Sequence, residues 1–166
     1  MLVLETERLI LRRFELDDAP FILTLLNEPS FHRYIGDKKV RNLEDARQYL
    51  LNGPIASYER NGFGLNLVEL KDSHVPIGMC GLLKREELPE PDIGFAFLPN
   101  FWGKGFAFEA AAAVMQDARE KLKLRRVLAI VNPDNYASIK LLERLGMSFE
   151  QMLDQGKTKL YGQSES

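Results

Sequence analysis

Apolar and polar positions in the first part of the chain predict one strand followed by two helical regions. Residues 2–12 alternate loosely, as a strand does. A helix is then predicted with Asp17 or Asp18 as its N-cap. A second helical region covers residues 44–61. Because a proline cannot donate a hydrogen bond inside a helix, we expect this region to be interrupted or kinked at Gly53-Pro54.

The rest of the chain predicts strands and helices in alternation. The predicted elements are a hairpin over 63–67 and 75–83, a strand over 92–98, a helix over about 104–123, a strand over 126–131, a helix over 135–145, and a hairpin over 147–153 and 158–161. The order is therefore β-α-α-β-β-β-α-β-α-β-β, which predicts a fold of the α/β (α+β) class.

Composition favours one globular domain over residues 1–166. With 45% hydrophobic and 28% charged residues, the chain lies in the range of globular proteins and is long enough for one buried core. No stretch approaches the roughly 20 consecutive apolar residues of a membrane span. Glu5 stands where a signal peptide would be basic. We therefore expect a soluble cytoplasmic protein.

The net charge and the rare residues disfavour several kinds of partner. A net charge of −2 disfavours binding of nucleic acid through the overall field of the protein. A single cysteine, Cys80, cannot form an internal disulfide and is interpreted as a core residue. His32 and His74 stand apart from other ligand residues in the sequence, so no metal site is predicted.

A glycine-bearing turn is the clearest candidate binding site. The segment FLPNFWGKGFAFEAA, residues 97–111, places a strand, a turn and a helix N-terminus in succession. The first N–H groups of a helix lack partners within it, and Gly103 and Gly105 let a ligand approach the backbone closely. Lys104 adds a positive charge. The turn is therefore predicted to bind a phosphate-like anion.

Two common phosphate-binding motifs fit this turn poorly. A Walker A loop needs Ser or Thr after Gly-Lys, but Lys104 is followed by Gly105. A dinucleotide fingerprint would place its third glycine at Phe108, and no acidic residue follows at the required distance of about 20 residues. Nucleoside triphosphate hydrolysis and dinucleotide binding are therefore disfavoured.

Three segments resemble the GNAT superfamily of N-acetyltransferases. WGKGFA, residues 102–107, resembles its pyrophosphate loop Gln/Arg-x-x-Gly-x-Gly/Ala, with Trp102 replacing the Gln or Arg. Residues 135–147 resemble its Asn-x-x-Ser/Ala helix, and TERLILR, residues 6–12, resembles the opening strand of the RimJ/RimL branch, which includes acetyltransferases of ribosomal-protein N-termini. The resemblance implies the GNAT fold, a mixed, mostly antiparallel sheet of about seven strands flanked by about four helices.

The resemblance also implies acetyl-CoA as cosubstrate, without a metal. Main-chain N–H groups of residues 103–107 would surround the pyrophosphate, the strand end at Phe97 and Leu98 would hydrogen-bond the pantetheine arm, and Asn135 would bond that arm from the other side. The predicted cofactor-binding residues are Phe97, Leu98, Gly103, Lys104, Gly105, Phe106, Ala107, Asn135 and Ser138.

Acetyl transfer to an amine needs a base for the amine and assistance for the departing thiolate. Asp92 stands where many superfamily members carry a general-base glutamate, and Glu90 and Asp154 are weaker alternatives. Ser138 resembles the serine proposed in this branch to hydrogen-bond or protonate the leaving sulfur, with Tyr136 as a lesser candidate. Asp92 as a strand-end carboxylate and Ser138 as a first-turn helix serine are the alternative, purely local interpretations.

The acceptor implied by the resemblance is a primary amine, in the first hypothesis the α-amine of a protein or peptide N-terminus. A small-molecule amine (polyamine, amino acid or antibiotic) and a non-catalytic acyl-CoA-binding module are the alternatives. No membrane partner is predicted, and no nucleic acid apart from a ribosome-associated protein substrate. A monomer and a homodimer both stay open. Five aromatic residues on or near the early helices are candidates for the acceptor pocket: Phe31, Tyr34, Tyr49, Tyr58 and Phe63.

Overall fold

A sheet of eight strands forms the centre of the protein in a computed structural model, which describes residues 1–164. The strands are β1 (Leu2–Glu5), β2 (Leu9–Arg13), β3 (Leu65–Leu70), β4 (Pro76–Leu83), β5 (Asp92–Phe97), β6 (Arg126–Val131), β7 (Ser148–Leu153) and β8 (Thr158–Ser164). Their spatial order is β1-β2-β3-β4-β5-β6-β8-β7. All neighbouring strands are antiparallel except β5 and β6, which are parallel.

Helices cover both faces of this sheet. They are α1 (Ala19–Leu26), α2 (Pro29–Tyr34), α3 (Leu43–Leu50), α4 (Ala56–Asn61), α5 (Phe106–Glu120) and α6 (Tyr136–Arg144). Buried residues of α1 and α3 cluster with Leu67 of β3, whereas buried alanines of α5 cluster with Val68. Because successive strand residues point to opposite faces, these two clusters lie on opposite sides of the sheet.

The strand and helix counts differ from the predicted ones for local reasons. The predicted first strand is two strands, β1 and β2, separated by a turn in which the Thr6 N–H donates to the Leu9 carbonyl at 2.9 Å. A helix that the sequence analysis missed, α2, begins at Pro29, because a proline at the first helical position loses no internal hydrogen bond. The predicted mixed, mostly antiparallel sheet flanked by helices is otherwise confirmed, with eight strands in place of about seven and six α-helices in place of about four among the described residues.

The helical region around Pro54 continues without a break. A π-helical turn over Leu51–Ile55 joins α3 to α4 and contains Pro54. The wider turn accommodates a residue that cannot donate the regular helical hydrogen bond. The irregularity predicted at Gly53-Pro54 therefore takes the form of a π turn.

Candidate active site

A cleft opens where the parallel strands β5 and β6 separate. They pair at one position, Asp92 opposite Leu128, next to a hydrogen bond from the Leu128 N–H to the Pro91 carbonyl at 2.9 Å. Each strand continues along its other neighbour, β5 along β4 and β6 along β8. The separation leaves a cleft of about 390 Å³ between them, lined by residues 93–95 of β5 and 129–131 of β6.

Asp92 lies on the floor of this cleft, at the point where the two strands meet. Its side chain is only 1% exposed, and the Arg85 Nε lies 3.1 Å from each of its carboxylate oxygens. Burial raises the pKa of Asp92 to about 6, against the opposing effect of the positive Arg85. A carboxylate with this pKa is mostly ionised near neutral pH, yet binds a proton far more strongly than a solvated aspartate.

The first turn of α6 brings Asn135 and Ser138 to the same cleft. The Asn135 side-chain oxygen caps the helix by accepting from the Ser138 N–H at 3.3 Å. Among the described residues, none hydrogen-bonds to the Ser138 hydroxyl or to the Asn135 amide nitrogen. The helix cap therefore engages the Ser138 backbone and leaves both polar groups available to a ligand.

The alternative catalytic candidates lie outside the cleft lining. Tyr136 is 70% exposed, and neither it nor Glu90 contributes to the walls. Asp154 lies in the turn between β7 and β8, where it accepts from the Thr158 hydroxyl at 3.3 Å. Cys80 is fully buried in the core, and burial raises the pKa of its thiol. Of the candidates considered, only Asp92 and Ser138 share the cleft.

The glycine-bearing turn has the geometry of an anion site. Gly103 and Gly105 adopt φ values of 75° and 82°, and α5 begins at the next residue, Phe106. Among residues 1–164, no acceptor is bonded to the main-chain N–H groups of residues 103–108. These unpartnered donors at the N-terminus of a 15-residue helix fit the pyrophosphate of coenzyme A.

The end of β5 is already engaged in hydrogen bonds within the chain. The Phe97 carbonyl accepts from the Trp102 indole nitrogen at 2.8 Å, and the Leu98 N–H donates to the Ile77 carbonyl at 2.9 Å. Neither Phe97 nor Leu98 lines the cleft, and residues 103–107 lie outside it as well. A hydrogen bond from the pantetheine arm to the Phe97 carbonyl, as predicted, would therefore share that oxygen with the Trp102 indole N–H.

A cluster around Glu109, which the sequence analysis missed, holds the turn in place. The Glu109 carboxylate accepts from the Thr6 hydroxyl at 2.5 Å, the Arg8 N–H at 2.9 Å and the Arg8 Nε at 2.7 Å. Partial burial opposes ionisation, but these hydrogen bonds outweigh it and lower the pKa of Glu109. Arg8 also donates to the Lys104 carbonyl at 3.0 Å and lies over the Phe106 ring. In the sequence this cluster is indicated only by a hydroxyl and a basic residue, Thr6 and Arg8, near the start and an acidic residue, Glu109, in the first turn of a later helix.

Aromatic and basic side chains also line the cleft. Of the five aromatic candidates, Phe31, Tyr34 and Tyr49 line it, whereas Tyr58 and Phe63 lie at a separate pocket of about 60 Å³. Burial raises the pKa of Tyr49 to about 12, so its hydroxyl stays protonated. The Lys and Arg residues of the lining are Arg33, Lys38, Arg85 and Lys157, and His32 lines it as well.

Within the described part of the chain, no three His, Cys, Asp or Glu residues are grouped so that they could hold a metal ion. None of the described helices combines the length and hydrophobicity needed to span a membrane.

Comparison with known proteins finds relatives along nearly the whole chain. A family profile described as an acetyltransferase (GNAT) domain matches residues 8–148. An uncharacterized N-acetyltransferase of Bacillus licheniformis, p20, is 33% identical over 156 residues, which cover 92% of this chain and 86% of p20. An acetyltransferase structure from Agrobacterium tumefaciens is 25% identical, with a TM-score of 0.85 over 98% of this chain and 94% of that one. RimL, a ribosomal L7/L12 alpha-N-protein acetyltransferase solved in complex with coenzyme A, shares the fold at 18% identity, with a TM-score of 0.87 over 99% of this chain and 98% of RimL.

Proposed function

The chain belongs to the GNAT acetyltransferase family and is an acetyl-CoA-dependent N-acetyltransferase, and on this basis we propose that it acetylates the α-amine of a peptide or protein N-terminus. The observation that carries the proposal is Asp92, a buried carboxylate with a pKa of about 6 at the cleft floor. At pH 7 about one α-amine in ten is neutral, but only about one lysine amine in 2,500. A base with this pKa is therefore better matched to an α-amine than to a lysine amine.

The cleft residues assist different steps of the acetyl transfer. Asp92 takes the proton that the attacking amine loses, directly or through one water molecule. The Ser138 hydroxyl donates a hydrogen bond to the thiolate as it departs, and the thiolate takes its proton from solvent. The N–H groups of residues 103–107 hold the pyrophosphate, and the free Asn135 amide contacts the pantetheine arm, with Phe97 at the end of β5 and the following residue, Leu98, contributing from the other side. Acetyl-CoA supplies the activated acetyl group.

Substitution of Ser138 by alanine tests its role. Because a hydrogen bond to a charged group contributes about 1.5–3 kcal/mol, we expect kcat to fall about 10- to 100-fold. The KM for acetyl-CoA should change little, since the Asn135 cap uses only the Ser138 backbone. Steady-state kinetics with both substrates varied measures the two constants. An unchanged kcat would reduce Ser138 to a structural residue of the first helical turn.

The acceptor itself is tested by offering several kinds of amine. Peptides that carry both a free N-terminus and an internal lysine are incubated with acetyl-CoA, alongside the same peptides with a blocked N-terminus, free amino acids and polyamines. Release of the thiol gives the rate, and mass spectrometry locates the acetyl group. We expect acetylation of the free N-terminus and a rate at least about tenfold lower for the blocked peptide, because lysine amines are so rarely neutral.

A small-molecule amine is the competing acceptor. A free amino acid also offers an α-amine to Asp92, but the carboxylate beside that amine makes it more basic than a peptide N-terminus, so the match is weaker. Acetylation of amino acids with no reaction of any peptide would replace the proposed acceptor by a small amine. Acetylation of internal lysines would contradict the argument from Asp92.

A further inference from the structure

The lining of the cleft has a charge opposite to that of the whole chain. The chain has a net charge of −2, yet the cleft lining contains four Lys and Arg side chains and one carboxylate, Asp92. The four cationic residues are Arg33, Lys38, Arg85 and Lys157. They come from the α2 region, the link between β4 and β5, and the turn between β7 and β8. The fold therefore gathers positive charge that is scattered along the sequence.

Most of this positive charge has no anionic partner in the described chain. Among residues 1–164, no carboxylate pairs with Arg33, Lys38 or Lys157. Arg33 makes only a contact with the Tyr34 ring, at 4.9 Å from the centroid. Arg85 is bound to Asp92 through its Nε alone, which leaves both terminal nitrogens without a partner among the described residues. The cleft thus contains cationic N–H groups that can donate hydrogen bonds to an external anion.

Nearby acids do not neutralise these side chains. Asp37 is bonded to Arg41 and lies 3.9 Å from the His32 ring. Glu87 is close enough to oppose ionisation of Asp92, but it does not line the cleft. Loss of surrounding water and the positive Arg85 together lower the pKa of Lys38, as expected for cations gathered without a counter-ion.

Positive charge in the cleft affects both the amine of an acceptor and any carboxylate near that amine. It repels the ammonium form and so favours the neutral amine that attacks the thioester. It attracts a carboxylate held a few ångströms from that amine. A polyamine has only positive groups and gains nothing from such a cleft.

We propose that the acceptor carries an anionic group next to its reactive amine, and that Arg33, Lys38, Arg85 and Lys157 bind this group. Two sources fit this chemistry: acidic side chains in the first residues of a peptide, and the carboxylates of a free acidic amino acid. The inference rests on the proposed acetylation of an α-amine and names the charge of its acceptor.

Acceptors matched in everything but charge provide the test. Peptides of equal length differ only at the second and third residues, which are acidic, amide or basic; free aspartate and glutamate form a second arm, and spermidine a third. We expect kcat/KM to be at least about tenfold higher for the acidic than for the basic peptide, with a difference that shrinks as salt is added. Calorimetry of peptide binding to the protein loaded with coenzyme A measures the same preference without turnover.

Charge reversal locates the preference within the cleft. Lys38→Glu and Lys157→Glu should each lower kcat/KM for the acidic acceptor about tenfold and leave the KM for acetyl-CoA unchanged. Arg60→Glu is the matched control, since Arg60 is an exposed residue of α4 outside the cleft, and it should change neither constant.

Several results would overturn the inference. One is equal rates and equal binding for acidic and basic acceptors. Another is a preference for the acidic acceptor that persists in both Lys38→Glu and Lys157→Glu. A third is a rise in the KM for acetyl-CoA in these variants, with kcat/KM for the acidic acceptor unchanged. The last result would assign the lysines to the phosphates of coenzyme A. Acetylation of every peptide irrespective of charge would leave the α-amine proposal standing and refute this one. Acetylation of aspartate or glutamate alone would refute the peptide acceptor and support the anionic one.

Discussion

Replacement of Asp92 by asparagine is expected to lower kcat/KM for the acceptor by about 100-fold or more, the usual contribution of a positioned general base. The substitution keeps the size of the side chain and one acceptor for the Arg85 Nε, but it removes the group that takes the proton. Affinity for coenzyme A should stay within about twofold, because residues 103–107 lie outside the Asp92 environment. Rates from thiol release and affinities from calorimetry separate the two effects.

The pH profile identifies the titrating group. When kcat/KM is calculated from the concentration of the neutral amine, the wild-type value should rise about tenfold per pH unit below pH 6 and flatten above it, because the pKa of Asp92 is about 6 and the base must be ionised. The Asp92→Asn variant should lack this limb. Glu90→Gln and Asp154→Asn, which remove carboxylates outside the cleft, are the controls and should keep it. A wild-type limb that persists in Asp92→Asn would assign the base to another residue.

The same titration has a readout in stability. Because the pKa of Asp92 is raised above its ordinary value of 3.8, the folded protein binds this proton more tightly than the unfolded chain between about pH 4 and pH 6. This contribution to the free energy of unfolding is present at low pH and is lost as pH rises through that window, by about 1.4 kcal/mol per unit of pKa difference. The difference between wild type and Asp92→Asn should show this dependence in denaturant titrations.

Replacement of Gly105 by alanine is expected to weaken binding of coenzyme A at least about tenfold. A left-handed backbone costs a residue with a Cβ about 1–2 kcal/mol, so the turn would shift and the N–H groups of residues 103–107 would lose their convergence. The new Cβ would also lie 3.3 Å from the Arg8 Nη2, within the cluster that holds Glu109. Calorimetric titration with coenzyme A measures the Kd.

Gly62 provides a matched control for the backbone effect. It has a φ of 80°, close to the 82° of Gly105, and no atom lies within 4 Å of the Cβ that alanine would add. Gly62→Ala should therefore cost comparable stability while leaving the Kd for coenzyme A unchanged. Equal affinity in the two variants would show that coenzyme A does not depend on the turn at residues 103–107.

Local rules were sufficient to predict most elements, but not how two of them pair. The 126–131 strand was predicted at its observed bounds, and β5 to within one residue. Hydrophobic alternation reports which residues are buried, and it contains no information on where one strand leaves its neighbour. The single pairing of Asp92 with Leu128, which creates the cleft, could not be read from the sequence for this reason.

The candidate site shows the same division between local and distant information. Gly103 and Gly105 were identified because a turn before a helix follows rules of adjacent residues. The burial of Asp92 and the approach of Arg85 depend on tertiary packing, as does the convergence of four cationic residues from separate elements. The assignment of site residues, the extent of the domain and the oligomeric state stay predictions.

The hydrogen bonds to Glu109 connect distant parts of the chain. Thr6 and Arg8 lie just before β2, whereas Glu109, more than 100 residues later, lies in the first turn of α5. A ligand that binds the N-terminus of α5 favours the folded arrangement of everything that positions it. Amide hydrogens of β1 and β2, which touch no part of the cleft, should therefore exchange more slowly when coenzyme A is bound.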